Sequence, residues 1–258
     1  MKADLLIHLP MPTGPPLHLE RPGAATKHLG PFLRTKRITR MKTVLDKRTQ
    51  HLAALVEHIH NPHNVAACVR SCDAFGVQDL HVITQEEKLL MVGREVSRGA
   101  VKWVTVRYYD TAEEAVSTLR ERGYRIGATD LGGDTPPVPL AEVEVDTPLC
   151  ICFGNEHAGI SDTLRSLSDF RVQIPMHGFV ESLNISVACA ITLFTLRQRL
   201  DAAAIGQGLA PPDRAKLLDR WIFEDIPGAR SVLEEVARRK TLADAKAGVA
   251  LPDAGHSE

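Results

Sequence analysis

The stretch Ile174-Pro-Met-His-Gly-Phe-Val-Glu-Ser-Leu-Asn-Ile-Ser-Val-Ala188 decides how this chain is read. It predicts a strand ending at Pro175, a loop from Met176 to Leu183, and a helix opening at Asn184 or Ile185. Loops between a buried strand and a helix are where α/β proteins place ligands. This loop packs small, polar and turn-forming residues where a plain connector needs only a few. Two further segments have the same shape: His60-Asn-Pro-His-Asn-Val-Ala-Ala-Cys-Val-Arg70 and Phe153-Gly-Asn-Glu-His-Ala-Gly-Ile-Ser161. Three such junctions point to one composite site.

Working outward, strand and helix patterns alternate. Leu52 to Ile59, Asp79 to Ile83, Val101 to Tyr108, Tyr124 to Leu131, Pro148 to Phe153 and Phe170 to Ile174 read as strands. Asn61-Pro62 starts a turn, because proline cannot continue a ladder. Helices are expected over Lys36–Gln50, Val65–Phe75, Thr111–Arg122 and Ile185–Leu200, with a short one capped by Ser161. Thr111 with Glu114 forms a capping box. Alternation of this kind predicts an α/β fold with a mostly parallel sheet. Residues 1–34 carry six prolines and read as a flexible leader, 35–205 as the core with its basic N-terminal helix, and 206–258 as a helical extension.

Composition narrows the class. No apolar run approaches the roughly 20 residues of a membrane span, and the N-terminus is too interrupted for a signal peptide. A cytoplasmic protein is expected. Five cysteines fit a reducing compartment, where buried cysteine acts as a small hydrophobe. Cys68 and Cys72 lie four apart, but no further ligand stands at zinc-like spacing, so no metal is expected. The net charge of −1 hides an uneven distribution: Lys27 to Arg48 holds eight Lys/Arg against Asp46 alone. Such a block is a phosphate-binding surface or a solvated helix. Together with Arg197, Arg199 and Arg238-Arg239-Lys240 it favours a nucleic-acid partner. The G-x-G-x-x-G fingerprint of a dinucleotide site is missing, which disfavours a nicotinamide oxidoreductase.

The three junctions supply Asn64 and Arg70, then Asn155 and Glu156, then Glu181, Ser182 and Asn184. Each has an ordinary structural reading. Asn64, Ser182 and Asn184 suit helix N-caps, Arg70 suits a helix surface, and Glu156 suits the positive end of the next helix. Together they place an arginine, a carboxylate and amide or hydroxyl groups at strand ends of one sheet.

These segments resemble motifs one to three of the SPOUT RNA methyltransferases, most closely the TrmH group, the tRNA guanosine-18 2′-O-methyltransferases. That group's motifs run N-x5-R-x2-D-A-x-G, G-x-E-x2-G-[IVL]-S and I-P-M-x-G-x3-S-L-N-[IV]-S-V-A. Here they read Asn64-Val-Ala-Ala-Cys-Val-Arg-Ser-Cys-Asp-Ala-Phe-Gly76, Gly154-Asn-Glu-His-Ala-Gly-Ile-Ser161 and the opening stretch. Ser97-Arg-Gly-Ala-Val-Lys-Trp103 is similar to a linking stretch of the group. The similarity spans residues 35–200 in unbroken order.

The resemblance implies a sheet whose C-terminal part is tied in a deep trefoil knot, with helical extensions at both ends. It implies S-adenosylmethionine as methyl donor, held by the knot loops at Leu131, Gly154, Ile174, Met176 and Leu183. Arg70 is the implied catalytic residue, oriented with the ribose by Asn64, Glu156, Ser182 and Asn184. A homodimer acting on tRNA is implied. Arg34, Lys36, Arg37, Arg40, Lys42, Lys102, Arg197 and Arg199 are the expected RNA contacts. Ribosomal RNA or a wobble nucleotide is the competing substrate, and a non-catalytic RNA-binding scaffold the competing class. The short proline-rich leader and the helices at both ends favour tRNA.

Overall fold

The computed structural model describes residues 23–84, 99–130, 136–155 and 158–246. These residues fall into two compact units, one of Val44–Leu209 and one joining residues up to Thr43 with those from Ala210 onward.

The first unit is built on a sheet of seven strands: β1 (Thr49–Glu57), β2 (Val77–Ile83), β3 (Thr105–Tyr109), β4 (Arg125–Thr129), β5 (Val138–Pro139), β6 (Leu149–Phe153) and β7 (Phe170–Gln173). Their order is β3-β2-β1-β6-β4-β7-β5, and every pairing is parallel. The helices of this unit are α3 (Pro62–Ala74), α4 (Ala112–Glu121), α5 (Asp162–Leu167) and α6 (Ile185–Ala203). Helices α1 (Ala24–Leu29), α2 (Thr35–Leu45), α7 (Pro211–Asp225) and α8 (Ala229–Lys246) belong wholly or mostly to the second unit.

Central strands are covered on both faces, which is why they read as unbroken apolar runs. Side chains still alternate. Leu52, Ala54, Val56, Leu149, Ile151 and Phe153 pack in the core beneath α3 and α6. Ala53, Leu55, Cys150 and Cys152 pack with α4 and α5 residues on the other face. Burying each leucine contributes about 2 kcal/mol.

A polar cluster is enclosed near the β2–β3 edge. Asp79 is fully buried and accepts hydrogen bonds from Arg107, Arg122 and Gln50. Burial alone would raise its carboxyl pKa. The two guanidinium charges outweigh that and hold it at about 2. His81 lies nearby with Nδ1 2.8 Å from the Tyr109 hydroxyl, and burial pushes its pKa down to about 3.

Several elements differ from their sequence reading. The basic helix α2 runs Thr35–Leu45 rather than to Gln50, because a turn at Val44–Arg48 delivers Thr49 to the sheet. Arg48 is fully buried and paired with Asp73, so it leaves the surface charge block. Residues 101–108 are not one strand. Gly99, in the left-handed region at φ 87°, starts a 3-10 turn over Ala100–Lys102, and β3 begins at Thr105. The short β5 had no sequence signal.

In the second unit, α1 (Ala24–Leu29) lies inside the stretch read as leader. Its N-terminal donors are satisfied by Asp219 of α7 (Pro211–Asp225): Thr26 N at 2.9 Å, Thr26 Oγ1 at 2.6 Å and Gly23 N at 2.5 Å. Arg37 of α2 makes a two-pronged ion pair with Asp225 at 2.7 and 2.8 Å. Trp221 and Ile222 are buried, and α8 (Ala229–Lys246) completes the group. The basic helix, read as part of the 35–205 core, is thus mostly grouped with the C-terminal helices.

Candidate active site

In a parallel sheet all strands end at one edge, and that edge carries the site. Four adjacent strands matter here: β1, β6, β4 and β7. Their ends lead into His58–Asn64, Gly154–Ser161, Asp130 and the Ile174–Asn184 loop respectively. The three junctions read from the sequence therefore meet along one edge of the sheet.

The first and third junctions touch directly. Asn184 Nδ2 donates to Asn64 Oδ1 at 3.4 Å. Asn184 is also the N-cap of α6, accepting from Ser186 N at 2.9 Å and Ser186 Oγ at 2.6 Å. Asn64 is not a cap. Asn61 fills that role for α3, accepting from His63 N, which leaves Asn64 in the first turn. Arg70 is exposed on α3 and makes no hydrogen bond or ion pair with the described residues. Ser182 is exposed in the loop, two residues before Asn184.

The second junction is folded tightly on itself. Asn155 and Gly159 exchange main-chain hydrogen bonds, both at 2.9 Å. A Cβ on Gly154 would meet the Gly159 carbonyl carbon at 2.0 Å, so only glycine fits. Asn155 Nδ2 donates to the carbonyl of His58 at 3.0 Å. Ser161 caps α5, accepting from Leu164 N at 3.1 Å. Glu156 lies outside the described residues.

The third junction has free main-chain groups. From Met176 to Leu183 no main-chain N–H or carbonyl is hydrogen-bonded to a described residue. Ile174, Met176 and Leu183 are half-buried, and Ile174 packs against the core. This edge offers unpaired polar backbone beside apolar side chains, a surface suited to a nucleoside with a polar tail. Leu131 lies outside the described residues. Asp130, just before it, accepts from Arg165 Nε at 2.6 Å.

The expected RNA contacts divide. Arg34, Lys36, Arg40 and Lys42 are exposed on or beside α2. Arg37, also exposed, is committed to Asp225. Arg197 is mostly enclosed, donating to Lys47 O and Asp201, both at 2.9 Å. Arg199 and Lys102 are half-buried, and the Arg199 Nη1 is enclosed without a hydrogen-bond partner among the described residues.

Sequence reasoning missed two residues. Glu57, 1% exposed at the end of β1, reads as the polar end of a strand and gave no signal of its own. Phe179 is fully exposed inside the third junction, an unusual place for a phenylalanine, and its neighbours Gly178 and Glu181 were the available hint.

Parallel order, strand-end loops gathered on one edge and the Asn64–Asn184 contact define an open α/β architecture with a composite ligand site. The chain belongs to the SpoU rRNA Methylase family, whose pattern matches residues 51–194. That fold carries a trefoil knot. Over 185 residues it is 37% identical to a tRNA (guanosine(18)-2′-O)-methyltransferase of Thermus thermophilus, covering 71% of this chain and 94% of that protein. The crystal structure of the Aquifex aeolicus TrmH/SpoU tRNA modifying enzyme superposes with a TM-score of 0.67 at 31% identity, covering 74% of this chain and 98% of that one. The SpoU methyltransferase AviRb of Streptomyces viridochromogenes, in complex with the cofactor AdoMet, gives 0.52 at 27% identity over 61% of each chain.

Proposed function

We propose that this chain transfers a methyl group from S-adenosylmethionine to the ribose 2′-hydroxyl of guanosine 18 in tRNA. One observation carries the choice of RNA: the match to the Thermus enzyme spans nearly that protein's whole length, 94%, rather than the catalytic part alone. The helices flanking the core fit the same reading. A cytoplasmic setting is supported by five free, buried cysteines.

When bound, the sulfonium supplies an activated methyl group and its own leaving group. The chain must hold the hydroxyl in line, manage its proton and exclude water. Gly154, Ile174, Met176 and Leu183 are assigned to the cofactor, supported by the unpaired main chain of the third junction; Leu131 joins them on resemblance alone. Arg70 is assigned to the developing alkoxide and the neighbouring phosphate. An arginine stays protonated, so electrostatic stabilisation suits it better than proton abstraction. Asn64, Ser182 and Asn184 orient the ribose, and Glu156 is assigned with them by resemblance. Phosphate contacts are assigned to Arg34, Lys36, Arg40 and Lys42, which are exposed and lie in the basic block.

The enzyme is proposed to act as a homodimer. Val187, Ile191 and Phe194 are exposed at helical spacing on α6, an apolar stripe that a second copy would cover.

The test is methylation of a full tRNA transcript in vitro, with the product mapped by mass spectrometry. Label on the ribose of guanosine 18 is expected. Label in a base ring, or outside the D-loop, overturns the proposal.

A further inference from the structure

The proposed mechanism leaves one buried charge unused. Glu57 ends β1 and is buried, its side chain 2% exposed. No lysine or arginine pairs with it among the described residues; His58 Nε2 stands 4.0 Å from Oε1. Both carboxylate oxygens instead accept from a single residue. Ser161 N donates to Oε2 at 2.7 Å and Ser161 Oγ donates to Oε1 at 2.8 Å. Burying a carboxylate costs several kcal/mol unless it is hydrogen-bonded, so this two-point grip on a distant loop calls for an explanation.

The next residue grips the other end of the same loop. His58 sits in the left-handed region at φ 49°, rare for a residue with a Cβ. In that conformation its N–H donates to Ile83 O and its carbonyl accepts from Asn155 Nδ2, both at 3.0 Å. The last residue of β1 and the one that follows it thus hold Ser161 at one end of the second junction and Asn155 at the other. Between them the Asn155–Gly159 bridge closes the loop against Gly154.

We propose that Glu57 is a positioning residue for the methyl-transfer reaction: through Ser161, and together with the His58 carbonyl on Asn155, it fixes the Gly154–Asn155 backbone against which S-adenosylmethionine binds. This rests on the function proposed above. Glu57 touches neither cofactor nor RNA, and its role is to set the backbone before the ligand arrives.

Replacing Glu57 by alanine removes both acceptors. Glutamine keeps the grip, because its oxygen accepts from Ser161 N while its amide donates to Ser161 Oγ. The experiment measures S-adenosylmethionine affinity by calorimetry, tRNA affinity by filter binding, kcat, and thermal unfolding of the full chain. Glu57→Ala is expected to weaken cofactor binding about tenfold or more, the scale of one lost charged hydrogen bond. It leaves tRNA affinity unchanged, and Glu57→Gln restores cofactor affinity to near wild type. A folded Glu57→Ala protein with unaltered cofactor affinity and kcat overturns the proposal. So does equal weakening of cofactor and tRNA binding, the mark of general destabilisation. If Glu57→Ala does not fold, Ser161→Ala takes its place, with a smaller loss of cofactor affinity expected and no loss overturning the proposal. Failure of the wild-type chain to bind S-adenosylmethionine would instead sink the proposed function.

Discussion

Asn184 joins two distant junctions with one side chain: its Oδ1 caps α6 at Ser186, and its Nδ2 reaches Asn64 Oδ1 at 3.4 Å. Cap and link can be separated. Asn184→Ser keeps a capping hydroxyl but is too short to reach Asn64. We expect its Tm to stay within about 2 °C of wild type. Its kcat/KM for tRNA should fall at least tenfold, about 1.4 kcal/mol of transition-state stabilisation. Unfolding scans and steady-state kinetics check both; retained activity would remove Asn184 from the reaction.

Arg70 offers the complementary case. It is exposed and makes no described contact, so Arg70→Ala should change stability by no more than about 0.5 kcal/mol. Activity should nonetheless collapse. Arg70→Lys keeps the charge but not the planar fork, and a loss of tenfold or more is expected. Full activity in the lysine variant would exclude any role that needs the guanidinium.

Gly154 tests the cofactor edge. A methyl group there meets the Gly159 backbone at 2.0 Å, which no side-chain rotation can relieve. Gly154→Ala should push the second junction open and abolish measurable S-adenosylmethionine binding by calorimetry. Because the strain lies in a surface loop, far-UV circular dichroism should stay native. Unchanged affinity would separate this loop from the cofactor.

Acid should destabilise the fold through His81. Its pKa is about 3 in the folded chain against 6.5 as the ordinary value. The unfolded chain therefore binds a proton that the folded one does not. Stability is full above 6.5 and falls as pH drops towards 3, by about 2 kcal/mol at pH 5. Asp79, at about 2 against 3.8, adds a further loss only below pH 4. Denaturant titrations at pH 7 and pH 5 should show this slope in the wild type and a flatter one in His81→Gln.

The α6 stripe predicts the assembly. Ile191→Asp places a charge at a site 37% exposed in the single chain. A dimer in sedimentation should become a monomer without loss of helix content. A wild-type monomer at micromolar concentration would remove the stripe's assigned partner.

Local chemistry was legible in the sequence, and long-range chemistry was not. The Pro148–Phe153 run announced a central strand, found at Leu149–Phe153, and Ser161 and Thr111 announced caps that accept from Leu164 N and Glu114 N. The meeting of the three junctions could be anticipated, because strand ends of a parallel sheet share an edge. Helix α1 could not. It has no capping side chain of its own, and Asp219, which supplies one, lies 196 positions away from Gly23. Arg48 read as surface charge because its partner Asp73 is 25 residues off on another element. Glu57 looked like the polar end of a strand until its partner, 104 residues later, was in view.

The Asp219 clamp also sets an order of events during synthesis. At roughly 5–20 residues per second, Asp219 emerges some 10–40 seconds after Gly23. Over that interval the first helix has no acceptor for its end, while the whole of Val44–Leu209 is made ahead of its clamp. The catalytic sheet is therefore made in full before the helical unit, whose first described helix waits on α7, can be closed.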